Sequence, residues 1–330
     1  MKLGWSVEVA GTGLGLPARV VTNDEFVQRL DTSEEWIIQR TGIRARHIVG
    51  PGESTLTLAT AASRAALADA DMSAEDIDLI ICATFTPEHP LPSLSCELQA
   101  ALGCRWVQAF DLAAACSGFV WGMSNAAQHI VSGMARNVLL VGVETLTTYT
   151  NMDDRATCIL FGDGAGAAVL RPSTNEHSRI LAARAGADGK RGLTIYIPAG
   201  GSRQKATLKS VEEGQHFIKM RGREVYKFAV TTMAEIMHDT ARDAGHDLDE
   251  VALIVPHQSN LRIIESACRK AGVPMERVVI NIDRYGNTSA ASVGICLHES
   301  RNNGRIKSGD LVMLVAFGAG LTWGSILLRM

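Results

Sequence analysis

Residues 107–119 read Val107-Gln-Ala-Phe-Asp-Leu-Ala-Ala-Ala-Cys116-Ser-Gly-Phe119, and this stretch sets the interpretation of the whole chain. Its first part, Val107 to Leu112, is short and largely apolar, which predicts a buried strand. The following segment, Gly118 to Ala135, mixes large apolar with small side chains and predicts a helix. Cys116 therefore lies at a strand-to-helix turn. We expect the unpaired N–H groups of the helix N-terminus to lower the thiol pKa and to favour the reactive thiolate.

Two downstream segments place polar side chains at the same kind of position. His257 follows the β-branched run Val251 to Val255, and Asn287 follows a second run, Val278 to Ile282. Each run predicts a strand, and in open α/β sheets functional sites gather outside the carboxyl ends of strands. Taken singly, Cys116 is explained as a buried core thiol and Asn287 as a turn residue. Together the three residues favour one thiol-based acyl-transfer site.

Apolar runs recur in the same order in the two halves of the chain. The runs of the first half begin at Leu79, Val107, Asn137 and Gly164, and those of the second half at Ala252, Val278, Leu311 and Trp323. Predicted helices at 55–71, 225–244 and 261–271 lie between runs. Alternating strands and helices predict parallel sheets covered by helices. Two such halves packed face to face give an α/β fold with five layers, α/β/α/β/α.

The boundary between the halves is predicted within the turn-rich segment from Arg171 to Arg191. The N-terminal half, residues 1–175, then carries Cys116. The C-terminal half, residues 176–330, carries His257 and Asn287.

Composition disfavours several classes of function. The chain has 330 residues, 46% of them hydrophobic, and a net charge of −3, so nucleic-acid binding has no electrostatic support. Seven cysteines without a Cys-x-x-Cys pair argue for a reducing cytoplasm and against a disulfide framework or zinc ribbon. Glu8 interrupts the first apolar stretch, which disfavours a signal peptide. Glycines break the charge-free stretch from Leu311 to Leu328, which predicts strand, turn and strand rather than a membrane span.

Two glycine clusters, residues 11–15 and 162–166, invite comparison with nucleotide-binding loops. Both lack the glycine spacing of the dinucleotide fingerprint, and the sequence has no Gly-Lys-Ser/Thr of the Walker type. Tight turns and close backbone packing explain the clusters better. We therefore expect no cofactor at these positions.

With these residues in view, the chain strongly resembles β-ketoacyl-acyl carrier protein synthase III, the initiating condensing enzyme of bacterial fatty-acid synthesis in the thiolase superfamily. The resemblance covers nearly the whole chain and rests on the order and spacing of its motifs. These motifs are the Cys116 segment and residues 31–37, 40–47, 161–166, 257–262, 286–292 and 317–320. The resemblance implies a thiolase-like five-layered fold of two pseudo-repeated halves, a cytoplasmic homodimer, and no cofactor beyond the coenzyme A thioester substrate.

The resemblance also implies a decarboxylative Claisen condensation. An acyl-CoA primer would acylate Cys116, and malonyl-acyl carrier protein would then lose CO₂ to give an enolate that attacks the acyl thioester. His257 and Asn287 would donate hydrogen bonds to the malonyl thioester oxygen. Backbone N–H groups of Cys116 and Ala319 would form the oxyanion hole for the tetrahedral intermediate. The product would be 3-oxoacyl-acyl carrier protein.

Further roles are implied position by position. Trp36 would stack on the adenine of coenzyme A with Arg155 near it, while Arg40 and Arg262 would attract the CoA phosphates and the acidic carrier protein. Leu91 stands where some relatives carry Phe at the acyl pocket of the partner subunit. Without the resemblance, Trp36 is explained as a packing residue and Arg155 as a surface charge.

Sequence differences leave the acyl donor open. Arg223 stands where well-known members carry Asn facing the pantetheine arm, and Ala156 where Gly is frequent. With Leu91 in place of a ring, we expect acyl groups longer than acetyl to be accepted. The alternatives are a specialised secondary-metabolite starter condensing enzyme and an acyltransferase or hydrolase on the same fold. A non-catalytic coenzyme A or carrier-protein binding module is disfavoured because Cys116 is present.

Overall fold

The protein is described by a computed structural model that covers residues 6–173, 175 and 178–330. Its strands are β1 (Val7–Gly15), β2 (Arg19–Thr22), β3 (Ala45–Ile48), β4 (Leu79–Ala83), β5 (Gln108–Leu112), β6 (Val138–Thr145), β7 (Asp163–Pro172), β8 (Arg179–Ala187), β9 (Ile195–Tyr196), β10 (Lys219–Met220), β11 (Leu253–Pro256), β12 (Leu311–Gly318) and β13 (Thr322–Arg329). Its helices are α1 (Asn23–Val27), α2 (Glu34–Thr41), α3 (Thr55–Asp69), α4 (Leu94–Leu102), α5 (Gly118–Val131), α6 (Arg155–Cys158), α7 (Leu208–Glu212), α8 (Gly222–Ala244), α9 (Leu261–Ala271), α10 (Ile282–Tyr285) and α11 (Ala291–Asn302). The predicted helices at 55–71, 225–244 and 261–271 correspond to α3, α8 and α9.

Two mixed sheets form the centre of the fold, so the prediction of parallel sheets is only partly right. The first has the order β1-β7-β6-β4-β5, with β4 parallel to β5 and β6 and with β7 antiparallel to β6 and β1. The second has the order β11-β12-β13-β8, with β11 parallel to β12 and the remaining pairs antiparallel. In both sheets the first strand of the half lies beside the last strand. The repeat predicted from the apolar runs is therefore confirmed in the topology.

The strand predicted at residues 278–282 is wrong. The chain makes a single parallel bridge there, between Ile254 and Val278, and α10 begins at Ile282. The side-chain oxygen of Gln258 accepts hydrogen bonds from the backbone N–H groups of Asn281 and Ile282, at 3.1 and 3.2 Å. A buried side chain thus satisfies donors that a neighbouring strand would otherwise pair.

The predicted five layers are confirmed by the side chains that each sheet face buries. Along β12, Val312 and Leu314 pack in the cluster that contains α5 and α11, whereas Met313 and Val315 pack in the cluster of α8 and α9. This alternation follows from the period of two in a strand. The outer face of the first sheet packs against α3 and α4. The helices α5 and α11 therefore form the central layer between the two sheets.

The glycine cluster at 11–15 lets α3 approach the first sheet closely. A Cβ on Gly13 would lie 2.0 Å from the carbonyl oxygen of Ala62 in α3. On the other face of the sheet, a Cβ on Gly166 would lie 2.5 Å from the carbonyl carbon of Gly294 in α11. Close backbone packing, as the sequence predicts, therefore explains both clusters.

The boundary between the halves was predicted between residues 175 and 176. Strand β7 of the first sheet ends at Pro172, and β8 of the second begins at Arg179. Residues 174, 176 and 177 lie outside the described residues, so the boundary itself stays a prediction. Residues 311–328 form β12 and β13 with a turn between them. In the described part of the chain, no helix is both long and apolar enough to cross a membrane.

Candidate active site

Cys116, His257 and Asn287 line one cavity of about 550 Å³. Cys116 follows β5, His257 follows β11, and Asn287 follows α10. His257 is 1% exposed and Asn287 is 8% exposed. The structure thus brings together three side chains that lie as far as 171 positions apart in the sequence, from 116 to 287.

Cys116 lies in a short 3₁₀ turn, Ala115 to Ser117, that runs directly into α5. Ala115 adopts a φ of 46°, in the left-handed region that residues with a side chain rarely take. The end of β12 lies against this turn, since a Cβ on Gly318 would come within 2.7 Å of the backbone nitrogen of Cys116. Five of the seven cysteines are buried and Cys96 is exposed, whereas Cys116 is half-buried and lines the cavity.

The prediction of a lowered thiol pKa is wrong. Burial raises the pKa of Cys116 to about 12, and the nearby carboxyl of Glu144 raises it further, while a hydrogen bond with Ser289 acts in the opposite direction. The cost of placing a charge in this apolar setting exceeds the stabilisation from the helix N-terminus. The resting thiol is therefore protonated, and acylation requires a proton acceptor.

His257 is a neutral imidazole in this setting. Burial lowers the pKa of His257 to about 3. Its Nδ1 lies 2.7 Å from the Ser292 hydroxyl, and the ring packs edge-on against Phe317 at 5.6 Å between centroids. The Ser292 hydroxyl also lies 2.9 Å from the Ser289 carbonyl, and it has one proton to donate. The neutral ring carries its proton on Nε2, where it is available for donation, when Ser292 donates to Nδ1 rather than to that carbonyl.

The Asn287 amide is held in one orientation by its own turn. Its Oδ1 accepts a hydrogen bond from the backbone N–H of Ser289 at 2.9 Å. The backbone N–H of Asn287 donates to the Leu160 carbonyl at 2.8 Å, and the N–H of Gly162 donates to the Asn287 carbonyl at 3.1 Å. With Oδ1 engaged, the NH₂ group remains as the donor of this side chain.

A buried carboxyl, Glu144, lies behind the cavity and was missed by the sequence analysis. It is fully buried at the end of β6, and its Oε2 accepts from Thr86 Oγ1 at 2.6 Å and from Thr84 Oγ1 and the Phe85 N–H at 3.3 Å. Its Oε1 accepts from Ser289 Oγ at 3.3 Å. Burial raises the pKa of Glu144 to about 8. The signal in the sequence was an acidic residue near the carboxyl end of an otherwise apolar central run, residues 138–145.

The remaining cavity wall is largely apolar. Among the residues that line it are Phe85, Leu146, Leu160, Phe161, Ile197 and Ile218. Ala319 also lines the cavity, next to Gly318. Leu91 does not line the cavity of its own protomer and is 87% exposed, so its contact with a partner subunit stays a prediction.

Two guanidinium groups approach the ring of Trp36. The Cζ atoms of Arg40 and Arg155 are 5.6 and 5.1 Å from its ring centroid. The side chain of Asn260, which lines the cavity, donates to the Arg40 carbonyl at 2.9 Å and accepts from the Arg262 N–H at 2.9 Å. The structure therefore brings the four predicted contact residues for coenzyme A and carrier protein to one side of the cavity, next to Asn260.

Other positions noted in the sequence lie near the same opening. Arg223 is exposed in the first turn of α8, next to the cavity residue Gly222. Ala156 follows Arg155 in α6, and its N–H donates to the Asp154 side chain at 3.0 Å. Neither residue lines the cavity.

Comparison with known proteins gives consistent relatives over the whole chain. Residues 110–189 match the family described as 3-Oxoacyl-[acyl-carrier-protein (ACP)] synthase III, and residues 241–330 match the C-terminal part of that family. The chain is 50% identical over 321 residues to the beta-ketoacyl-[acyl-carrier-protein] synthase III of Roseiflexus sp. (strain RS-1), covering 97% of each chain.

Solved structures agree with this match. The 3-oxoacyl-[acyl-carrier-protein] synthase III from Aquifex aeolicus VF5 is 44% identical with a TM-score of 0.91, covering 98% of this chain and 100% of that chain. The priming beta-ketosynthase from the R1128 polyketide biosynthetic pathway is 35% identical with a TM-score of 0.90, covering 98% of this chain and 96% of that chain.

Proposed function

The chain belongs to the 3-oxoacyl-[acyl-carrier-protein] synthase III family, and we propose that its cavity joins an acyl-CoA primer to malonyl-acyl carrier protein through Cys116, His257 and Asn287. The reaction is a decarboxylative condensation that gives 3-oxoacyl-acyl carrier protein and initiates fatty-acid synthesis. The observation that carries the proposal is the meeting of a thiol, a neutral imidazole and an oriented amide in one apolar cavity.

Acylation comes first. The sulfur of Cys116 attacks the thioester carbonyl of the primer, and coenzyme A leaves. The N–H groups of Cys116 and Ala319 stabilise the negative oxygen of the tetrahedral intermediate. This role is supported by Gly318, whose lack of a side chain lets the end of β12 lie against the turn that carries Cys116. The acyl chain extends along the apolar wall that contains Leu146 and Ile218.

Condensation follows with the second substrate. Decarboxylation of the malonyl group creates an enolate, whose oxygen accepts hydrogen bonds from His257 Nε2 and Asn287 Nδ2. Donors aimed at a developing charge in a site of low polarity are worth roughly 10²–10³ in rate each. The enolate carbon attacks the carbonyl carbon of the acyl thioester. The bond from that carbon to the sulfur of Cys116 then breaks, which releases the 3-oxoacyl product and regenerates the Cys116 thiolate.

Substrate recognition is proposed for the positive rim next to Asn260. Trp36 would stack on the adenine of coenzyme A, supported by the guanidinium groups of Arg40 and Arg155 on the same ring. Arg262 is exposed at the start of α9 and suits the acidic carrier protein. Because the net charge of the chain is −3, attraction of these anions depends on this local patch.

A homodimer is proposed from the exposed apolar surface at the edge of the first sheet. β5 is the edge strand of that sheet, and Trp106, just before it, is 98% exposed. Leu91, in the same 80–110 region of the chain, is 87% exposed. Pairing of β5 with its copy would cover this surface and bring Leu91 to the partner's acyl cavity.

A polyketide-priming role is the second candidate, and the R1128 relative favours it. That relative is 35% identical to this chain, whereas the Roseiflexus synthase is 50% identical. A plain acyltransferase or hydrolase would use Cys116 but would not need both His257 and Asn287 as enolate donors. The identity values and the pair of donors support fatty-acid initiation.

The test is intact-protein mass after incubation with acetyl-, butyryl- and octanoyl-CoA. We expect one acyl adduct, mapped to Cys116 by peptide analysis and lost in Cys116→Ala. The exposed Cys96 provides the matched control, since Cys96→Ala should keep the adduct. Acyl-enzyme should also form in His257→Ala and Asn287→Ala, while product formation from malonyl-acyl carrier protein falls steeply. A label on another cysteine, or acylation without condensation in the wild type, would contradict the proposal.

A further inference from the structure

The Ser289 hydroxyl interacts with both the reactive thiol and Glu144. Ser289 and Cys116 line the same cavity, and the hydroxyl lowers the pKa of the Cys116 thiol. The same hydroxyl donates to Glu144 Oε1 at 3.3 Å. Ser289 is 1% exposed with a φ of 47°, so the fold holds this side chain in a backbone conformation that residues other than glycine rarely adopt. The mechanism described above gives no role to Glu144 or to the Ser289 hydroxyl.

We propose that Glu144 is the proton acceptor for the Cys116 thiol during acylation and that the hydroxyl of Ser289 relays the proton between them. The inference rests on the proposed function, because it assigns a base to the nucleophile of that site. Ser289 contacts the reacting atom, whereas Glu144 acts through Ser289.

The direction of the hydrogen bonds suits this relay. The Ser289 hydroxyl has one proton, and before the transfer it donates this proton to Glu144, which leaves its lone pairs to accept the thiol proton. After the transfer it donates the newly accepted proton to the thiolate, in agreement with its lowering of the Cys116 pKa. The remaining partners of the carboxyl hold it in place as donors: Thr84, Phe85 and Thr86 all bond to Oε2 and leave Oε1 to Ser289.

His257 is a poorer acceptor for the same proton. Burial lowers the pKa of His257 to about 3 but raises the pKa of Glu144 to about 8, so Glu144 binds a proton far more readily. The pKa of the Cys116 thiol is itself raised by the charge of Glu144, which means that the two groups resist being ionised together. A pair that retains one proton between its two members titrates as a unit.

The hydrogen-bond partners of the two Glu144 carboxyl oxygens are three hydroxyls and one backbone amide. Thr84, Phe85 and Thr86 come from the segment after β4, and Ser289 comes from the turn before α11. In the described part of the chain, the titratable side chains that line the cavity are Cys116, Tyr196, Tyr226 and His257. Burial raises the pKa of Cys116 to about 12 and lowers the pKa of His257 to about 3, whereas it raises the pKa of Glu144 to about 8. We therefore assign a change of rate near pH 8 to Glu144.

The step balances as follows. The S–H proton of Cys116 moves to Ser289 Oγ while the Ser289 proton moves to Glu144 Oε1. The sulfur forms a bond to the thioester carbonyl carbon, and the bond from that carbon to the sulfur of coenzyme A breaks. Coenzyme A leaves as a thiolate and takes a proton from solvent. When condensation later releases the Cys116 thiolate, the proton returns along the same path, and Glu144 is ionised again.

The experiment measures the single-turnover rate of acylation between pH 6 and 10, with the acyl-CoA that gives the adduct in the mass panel. In the wild type the rate should rise with an inflection near pH 8, where Glu144 loses its proton. In Glu144→Gln the rate should fall by about 10²-fold, within the usual range for loss of a general base, and the inflection should disappear. Asp163→Asn is the matched control, because Asp163 is also a fully buried carboxyl and accepts hydrogen bonds from Thr147 and Val49. This variant should keep the inflection near pH 8.

Ser289→Ala provides a second, independent test that leaves the carboxyl in place. Two protons move in the wild type, so the rate should curve against the deuterium fraction in mixtures of H₂O and D₂O. Ser289→Ala should lose the curvature, whereas Ser63→Ala, at a buried serine in α3, should keep it.

The possible outcomes separate the relay from the proposed function. Acylation of Cys116 with an inflection that survives Glu144→Gln, or with a linear isotope dependence in the wild type, overturns the relay alone. Loss of the inflection in His257→Ala but not in Glu144→Gln would assign the proton to His257 and overturn the relay as well. Failure of the wild type to form any acyl-enzyme overturns both proposals.

Discussion

Replacing Glu144 by Gln should make the protein more stable as the pH rises, relative to the wild type. Burial raises the pKa of this carboxyl from 4.5 to about 8 in the folded protein. Between these values the unfolded chain has lost the proton that the folded protein still holds, so the free energy of unfolding of the wild type decreases with rising pH. The difference of about 3.5 pKa units corresponds to at most about 5 kcal/mol. Gln carries no charge and removes this dependence.

The assay is urea unfolding followed by tryptophan fluorescence at several pH values from 5 to 8. Any constant effect of the amide cancels, because only the change with pH of the difference between variant and wild type is used. Glu53→Gln is the control: backbone N–H groups of Ala18 and Gly50 lower the pKa of Glu53 below its usual value of 4.5, so the carboxyl is ionised in both folded and unfolded protein above pH 5 and the difference between this variant and the wild type should stay nearly constant from pH 5 to 8. A difference between Glu144→Gln and wild type that stays flat from pH 5 to 8 would refute the raised pKa and the reasoning from burial.

Four further outcomes are expected. Asn287→Asp keeps the acceptor for the Ser289 N–H but lacks the NH₂ donor. In single-turnover assays acyl-enzyme should therefore form, while the rate of condensation should fall by about 10²–10³-fold. A normal condensation rate would show that the amide has no part in the mechanism. Leu91→Phe should shift kcat/KM from octanoyl-CoA toward acetyl-CoA by about 1–3 kcal/mol, in a graded way; no change would mean that Leu91 does not set the pocket depth. Trp36→Ala should raise KM for acyl-CoA with little effect on kcat, and an unchanged KM would leave Trp36 as a packing residue. Light scattering should give a dimer, and a monomer at micromolar concentration would contradict the proposed interface.

The fold was largely predictable because apolar runs report buried strands directly. The strands at Leu79, Val107, Leu311 and Trp323 were found from such runs, and their repetition gave the five layers. The failure at residues 278–282 has a local cause. The run is as β-branched as the others, but Gln258 takes the donors of Asn281 and Ile282, and a contact between residues so far apart leaves no periodic signal.

The active-site residues were predictable to a smaller extent. Cys116, His257 and Asn287 stood out because polar or reactive side chains followed apolar runs, and the structure brings them to one cavity. The ionisation of Cys116 was predicted in the wrong direction, because a helix N-terminus is visible in the sequence whereas burial among distant segments is not. Glu144 was missed for the same reason: its four hydrogen-bond partners come from residues 84–86 and from Ser289.

The two half-reactions place opposite demands on His257, and the structure meets one of them. An enolate is stabilised by a donor that keeps its proton, whereas a strong acid beside it would protonate its carbon and stop condensation. Burial lowers the pKa of His257 to about 3, so the neutral ring is a weakly acidic donor, well suited to the enolate oxygen. The same burial makes the ring a poor acceptor for the Cys116 proton, since its protonated form would be strongly acidic. A site that keeps His257 neutral for condensation must therefore place the base for acylation elsewhere, and Glu144, with a pKa raised to about 8 and a hydroxyl between it and the sulfur, is in a position to serve.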